Sequence, residues 1–173
     1  MNTKTTYEEF QVYCPETDSY ETRKRPVFSE AEISSQNLGQ GTSTNASVRE
    51  TVNQENKGSE YRNEAGHIVP KAAGGSGTNR DNIFIQDFSF NRKDNKEFDN
   101  HYMSDLRTHP NAKVSMKTWF EYDNNYSTTK PRWVTKQYEL NFPNPDGSYS
   151  QKGSYRETYN NYNDESKGKG RKS

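Results

Sequence analysis

The stretch that decides the fold is NEAGHIVPKAAGGSGTNRDNIFIQDFSFN, running from Asn63 to Asn91. It sets His67 behind Gly66 and ahead of an apolar run that Pro70 stops. GHIVP (66–70) reads as a short strand, because β-branched apolar residues suit a pleated, half-buried surface and Pro ends the pairing. KAAGGSGTNRDN (71–82) reads as a loop by composition. NIFIQ (82–86) reads as a second short strand. Beyond it, Phe98, Tyr102 and Leu106 recur at helical spacing with no Gly or Pro before Pro110, which predicts a helix over 91–107. Asp87 or Ser89 can cap that helix. The three loop glycines, Gly74, Gly75 and Gly77, admit two readings. They make a tight turn with positive φ, or they let backbone N–H groups approach an anion. The loop lacks the GxxxxGK[ST] spacing of a P-loop.

Working outward, KVSMKTWFEY (113–122) alternates, with Val114, Met116, Phe120 and Tyr122 on one face. Trp119 falls on the opposite, polar face and is a candidate substrate contact. RWVTKQYEL (132–140) alternates as well, and the loop DNNYSTTKP between them predicts an antiparallel pair. Phe10–Tyr13 and RPVF (25–28) are short strand candidates. SEAEISSQNL (29–38) reads as a short helix, with Ser29 and Glu32 as a capping box, and GQGTSTNA (39–46) as loop. Residues 1–20 read as a weakly ordered lead-in, 21–143 as the folded domain, and 144–173 as a flexible, locally basic tail ending in KGKGRKS.

Composition bounds the rest. The chain has 173 residues, enough for one domain with tails. Only 27% are hydrophobic, and Leu, Ile, Val and Phe together number 22. That is low for a packed core, but net charge is zero, so self-repulsion does not expand the chain. Twelve Tyr, eight Phe and two Trp can supply an aromatic core. Cys14 stands alone, which excludes an internal disulfide. No run approaches the ~18 apolar residues of a membrane span. The N-terminus has no apolar signal region, which leaves localisation open between the cytoplasm, export by a non-classical route, and a piece of a longer secreted protein. Neither HExxH, CxxC nor GxSxG occurs, so a zinc site of those kinds and a serine hydrolase have no support.

The ordered set GH (66–67), GGSGT (74–78), DNIF.Q (81–86) and Asn91 with an acidic residue eight positions on resembles the DNA/RNA non-specific endonucleases, a branch of the ββα-metal (His-Me finger) nucleases. LGQGTSTNASVRE (38–50) is similar to a lead-in that some members carry. The resemblance spans roughly residues 22–142. It implies an α+β fold: a small antiparallel sheet carrying a strand–Gly-rich loop–strand–helix catalytic unit, with flexible termini. It implies hydrolysis of phosphodiester bonds in DNA, RNA or both, without strong sequence preference.

A phosphodiester resists water because its anion repels nucleophiles and its alkoxide leaves poorly. Cleavage needs a base to activate water and a cation to stabilise charge. Neutral imidazole suits the first task, and a hard divalent ion with oxygen ligands the second. The resemblance accordingly implies His67 as general base, Asn91 as ligand to one Mg²⁺ or Mn²⁺, and Asp99 as the group that orients a water on that ion. Asn82 and Gln86 match the family's bracing positions.

Two departures matter. Asp99 stands where many relatives carry Glu. Close relatives often read Asp-Arg-Gly-His where this chain has Glu64, Ala65, Gly66 and His67, so the phosphate-binding Arg is missing from position 65. Arg62, Arg80 or Arg49 is the candidate replacement. Zero net charge predicts weak, salt-dependent binding of nucleic acid. The alternatives are a degenerate nuclease fold that binds nucleic acid or a protein without cleaving, and a toxin module with an immunity or inhibitor protein as partner.

Overall fold

The computed structural model describes residues 1, 3–55, 61–123 and 128–162. Five strands form an antiparallel sheet in the order β1 (Lys4–Cys14), β2 (Ser19–Ser34), β5 (Lys113–Glu121), β6 (Trp133–Pro143) and β7 (Tyr149–Asn160). A separate antiparallel pair joins β3 (Asn63–His67) to β4 (Ile83–Asp87). Helix α1 (Ala46–Glu55) precedes β3, and α2 (Phe88–Arg92) and α3 (Asp94–Thr108) follow β4. No helix among the described residues is long and apolar enough to cross a membrane.

The sheet follows from period-two patterning. Val114, Met116 and Phe120 pair across to Leu140, Tyr138 and Val134, and all six side chains are buried on one face. Helix α3 lays Phe98, Tyr102 and Leu106 on that face, since residues four apart share one side of a helix. Each such side chain, once buried, contributes roughly 1.5–3 kcal/mol. The pair β3–β4 has a smaller apolar seat on its other side. There Ile83 and Ile85, with Ala65, meet Val48 and Val52 of α1.

Several sequence-based expectations need correction. The lead-in is not weakly ordered over its length: residues 4–14 form a strand paired along its whole length with β2. Residues 149–160 of the expected flexible tail form β7, paired with β6. The basic KGKGRKS lies outside the described residues. SEAEISSQNL is not a helix; β2 runs to Ser34, with Ser29, Ala31 and Ile33 buried and Glu30 and Glu32 exposed, and only Ser35–Asn37 make a 3₁₀ turn. The long helix breaks at Lys93 into α2 and α3. Trp119 packs on Phe28 at 5.5 Å, with the Arg156 guanidinium 4.7 Å from its ring. Its register places it on the sheet face opposite α3.

Candidate active site

His67 ends β3, opposite Ile83. Its Nε2 lies 2.9 Å from the backbone carbonyl of Thr42. A carbonyl only accepts, so Nε2 carries the proton and Nδ1 keeps its lone pair. The segment that presents this carbonyl is strapped to the glycine loop. Gly39 N–H donates to Ala72 O (2.8 Å), Thr42 N–H to Gly75 O (3.1 Å), and Gly77 N–H to Thr42 Oγ1 (2.9 Å). Burial holds the imidazole below its ordinary value near 6.5. Lys71 pushes the same way, while the Thr42 carbonyl and Asp99 oppose. His67 is therefore neutral at pH 7.

The glycines answer the question left open by the sequence. Gly74 closes a 3₁₀ turn with φ of 95°. A Cβ on Gly75 would lie 1.7 Å from Val69 O, and one on Gly77 would lie 2.3 Å from the Ser43 carbonyl carbon. The N–H groups of Gly74, Gly75 and Gly77 are all taken by protein oxygens. This loop is built for a turn and for close packing, and none of these three donors remains for a phosphate.

Asn82 sits buried between the strand end and the loop. Its Oδ1 accepts from Val69 N–H (2.9 Å) and the Thr3 hydroxyl (3.0 Å), and its Nδ2 donates to Val69 O (2.9 Å) and Ser76 O (3.0 Å). Gln86 lies across Gly66, whose missing side chain makes room: a Cβ there would fall 1.7 Å from Gln86 Oε1. Gln86 is 0% exposed, and neither atom of its carboxamide has a hydrogen-bond partner among the described residues.

Asn91 lies on α2, whose first turn is capped by the Asp87 carboxylate accepting from Ser89 N–H (2.9 Å). Asn91 Nδ2 donates to Glu64 Oε2 at 2.9 Å, and Arg92 Nη2 donates to Glu64 Oε1 at 3.2 Å. Glu64 thus fixes the nitrogen end of the Asn91 amide and leaves its oxygen as the end available to a cation. Asp99 is 2% exposed, and its Oδ1 is 2.7 Å from Lys136 Nζ, itself 2% exposed. Burial pushes the Asp99 carboxyl up and the Lys136 amine down, and each is opposed by the charge of the other. The water-orienting role expected of Asp99 needs an open carboxylate face, and Lys136 closes it.

The family model of the DNA/RNA non-specific endonucleases matches residues 1–140. The chain belongs to the DNA/RNA non-specific endonuclease family. It is accordingly a hydrolase of nucleic acid phosphodiesters. No curated protein sequence matches it. Among solved structures, it is similar to an extracellular endonuclease at 15% identity and a TM-score of 0.56, over 91% of this chain and 80% of that one. An extracellular nuclease matches at 15% identity and 0.51, over 92% and 86%. The Sda1 nuclease, solved with a bound zinc ion, matches at 11% identity and 0.52, over 86% and 87%. At these identities the likeness concerns the fold.

The candidate substrate-binding cations of this endonuclease stand in three places. Arg62 and Arg92 stack on Phe88, at 3.7 Å and 4.4 Å, beside the Glu64–Asn91 pair. Lys71 stands near His67 and donates to Ser43 Oγ at 3.1 Å. Arg49 donates to the Thr44 carbonyl, at the end of the strap that holds His67. Arg80 pairs with Glu55 (3.3 Å) in a groove of about 640 Å³ that Tyr7, Arg23 and Lys24 also line. Lys71 and Arg92 are not among the three sequence candidates for the missing Arg, although they adjoin Pro70 and Asn91. The Ala65 side chain packs against the small apolar cluster of Val48, Val52, Ile83 and Ile85. His101 and His109 stand beside Tyr155 and Phe142, away from these groups.

Proposed function

We propose that the enzyme is a metal-dependent endonuclease that uses His67 Nδ1 as general base and Asn91 Oδ1 as protein ligand to one divalent cation, Mg²⁺ or Mn²⁺. The observation that carries the reading is the Thr42–His67 bond, which fixes the tautomer and leaves a neutral, basic nitrogen. The donor set fits a hard ion: an amide oxygen oriented by a carboxylate, with no group of three His, Cys, Asp or Glu side chains among the described residues able to form a softer all-protein cage. The bound ion would supply charge stabilisation at the phosphate and the leaving oxygen.

His67 Nδ1 takes a proton from water as the water oxygen bonds to phosphorus. The P–O bond to the leaving alkoxide breaks, and that oxygen takes its proton from solvent. Thr42 O stabilises the imidazolium that forms, and Asp99 favours it at longer range. Arg62, Arg92 and Lys71 are the cations we assign to the substrate backbone, and such contacts carry no sequence information. That suits DNA and RNA alike.

Plasmid DNA and a single-stranded RNA, each incubated with protein in Mg²⁺ or Mn²⁺ and in chelator, provide the test. Wild type should cleave only with metal. His67→Ala should lose about 10²–10⁴-fold in rate, the usual worth of a positioned base. Equal rates for wild type and His67→Ala would discard the assignment. The rate should also fall with a midpoint below pH 6.5, because burial holds His67 below that value and protonation removes the base.

A further inference from the structure

We infer that Asn161 is a positioning residue for the metal-holding helix, supplied by a part of the chain beyond residues 1–140 that the family model matches. The inference rests on the reading of Asn91 as metal ligand.

The argument starts from the free edge of β4. In an antiparallel pair, successive residues turn their N–H and C=O to alternate sides. One edge of β4 is satisfied by β3. On the other edge stand the carbonyl of Ile85 and the N–H of Asp87, spaced as a neighbouring strand would read them. No strand among the described residues lies there. Asn161 fills the place with its carboxamide: Nδ2 donates to Ile85 O at 2.9 Å, and Oδ1 accepts from Asp87 N–H at 2.8 Å. The second Nδ2 hydrogen goes to Pro131 O at 3.0 Å, and the backbone N–H of Asn161 to Arg132 O at 2.9 Å. The side chain is 0% exposed, and every donor it owns is used.

The consequence reaches the site through short, rigid steps. Pro131 and Arg132 lead into β6, and Asn161 leaves β7, so the clip is anchored in the five-stranded sheet. Asp87, held by its N–H, is also the residue whose carboxylate caps α2. Its carboxylate faces Lys130 Nζ at 3.9 Å, and that ammonium stands against the rings of Tyr61 and Tyr162. Asn91 follows one helical turn after the cap. The sheet thus sets where α2 begins, and α2 sets where the Asn91 oxygen points. Only a carboxamide of this length offers donor and acceptor together. Asp at 161 lacks both donors, Leu lacks all polar function, and Gln reaches one methylene further.

The test measures Mn²⁺ binding to the full chain by water-proton relaxation, without nucleic acid, together with deuterium exchange at the Asp87 and Ser89 amides. Asn161→Leu and Asn161→Asp should weaken Mn²⁺ binding about 10–100-fold, the usual effect of losing a partner that orients a metal ligand. Both amides should exchange faster. Asn161→Gln should recover part of the affinity, and KM for nucleic acid should change less than Mn²⁺ affinity. A folded Asn161→Leu protein with wild-type Mn²⁺ affinity overturns the inference. Should the variants fail to fold, wild-type exchange still decides: a slow Asp87 amide supports the clip, and one as fast as open backbone overturns it. Asn91→Ala separates the two claims. If it keeps wild-type Mn²⁺ affinity, the metal-ligand reading falls. If it loses affinity while Asn161→Leu does not, the Asn161 assignment alone falls.

Discussion

The five-stranded sheet with α3 and the β3–β4 pair with its loop are held together by different forces. The sheet half buries aromatic and aliphatic side chains in one continuous cluster running from Ala31 to Tyr159. The β3–β4 half joins that cluster on one side through Ile68, Val69, Ala73 and Phe84, and on the other has a small apolar seat of Val48, Val52, Ile83 and Ile85, with Ala65. Polar clips then fix its geometry. Asn82 joins loop to strand, Asn161 joins β4 to the sheet, and the Thr42 strap joins loop to histidine. Burial is non-directional, whereas a hydrogen bond fixes distance and angle. A chain with 27% hydrophobic residues spends them where bulk suffices and places carboxamides where geometry matters.

The largest effect should come from a cavity in the sheet half. Leu106 is fully buried under α3. Leu106→Ala should cost about 2–5 kcal/mol, a large part of the ~5–15 kcal/mol that a domain possesses. Urea unfolding should show the loss, while the cleavage rate per folded molecule stays within about twofold of wild type. A rate that collapsed well below the unfolding midpoint would show that the two halves are not separable in this way.

Asn82→Leu should reverse the pattern. It strands the Val69 N–H and C=O just past His67, and each buried orphan costs about 1–3 kcal/mol. The loop that carries the Thr42 strap loses its tie to the strand. Cleavage should fall about 10–100-fold, equivalent to ~1.4–2.7 kcal/mol of barrier, in protein that remains folded at assay temperature. Loss of stability with an unchanged rate would make Asn82 one more core residue.

The same contrast explains what the sequence disclosed. The candidate residues could be picked out because they are local: His67, the glycines, Asn82, Gln86 and Asn91 lie within one short stretch, and Asn82 and the glycines at 66 and 75 are each demanded by a specific contact. The glycine at 66 is required by Gln86, and the glycine at 75 by Val69. Strands β5 and β6 were legible because one face is buried and the other is not. β1 and β2 were legible only in part, as the short candidates Phe10–Tyr13 and RPVF (25–28), and β7 was not. The outer part of β2 and most of β7 are exposed on both faces, and the inner face of β1 reaches only half-burial, so their patterning is weak. Asn161 had no signal at all, since its partners are backbone groups far away in sequence. Asp99 shows the opposite case: its position matched a family role in sequence, while the lysine that pairs with it comes from β6 and left no local signal.

The smallest effect tests the electrostatics of the His67 pocket. Lys71 is exposed and bonded to Ser43, yet its charge lowers the His67 pKa. The sign is fixed by charge: an ammonium nearby disfavours a second cation, so its removal makes imidazolium easier to form. Lys71→Met should therefore move the acid limb of the cleavage profile towards higher pH. The shift should be a few tenths of a unit, because solvent screens an exposed charge strongly. It should shrink further at 1 M salt, where the Debye length is about 3 Å. A limb that moved downward would mean that Lys71 acts on the substrate phosphate more than on the base. That result would place the backbone-binding cation of the missing position 65 at Lys71.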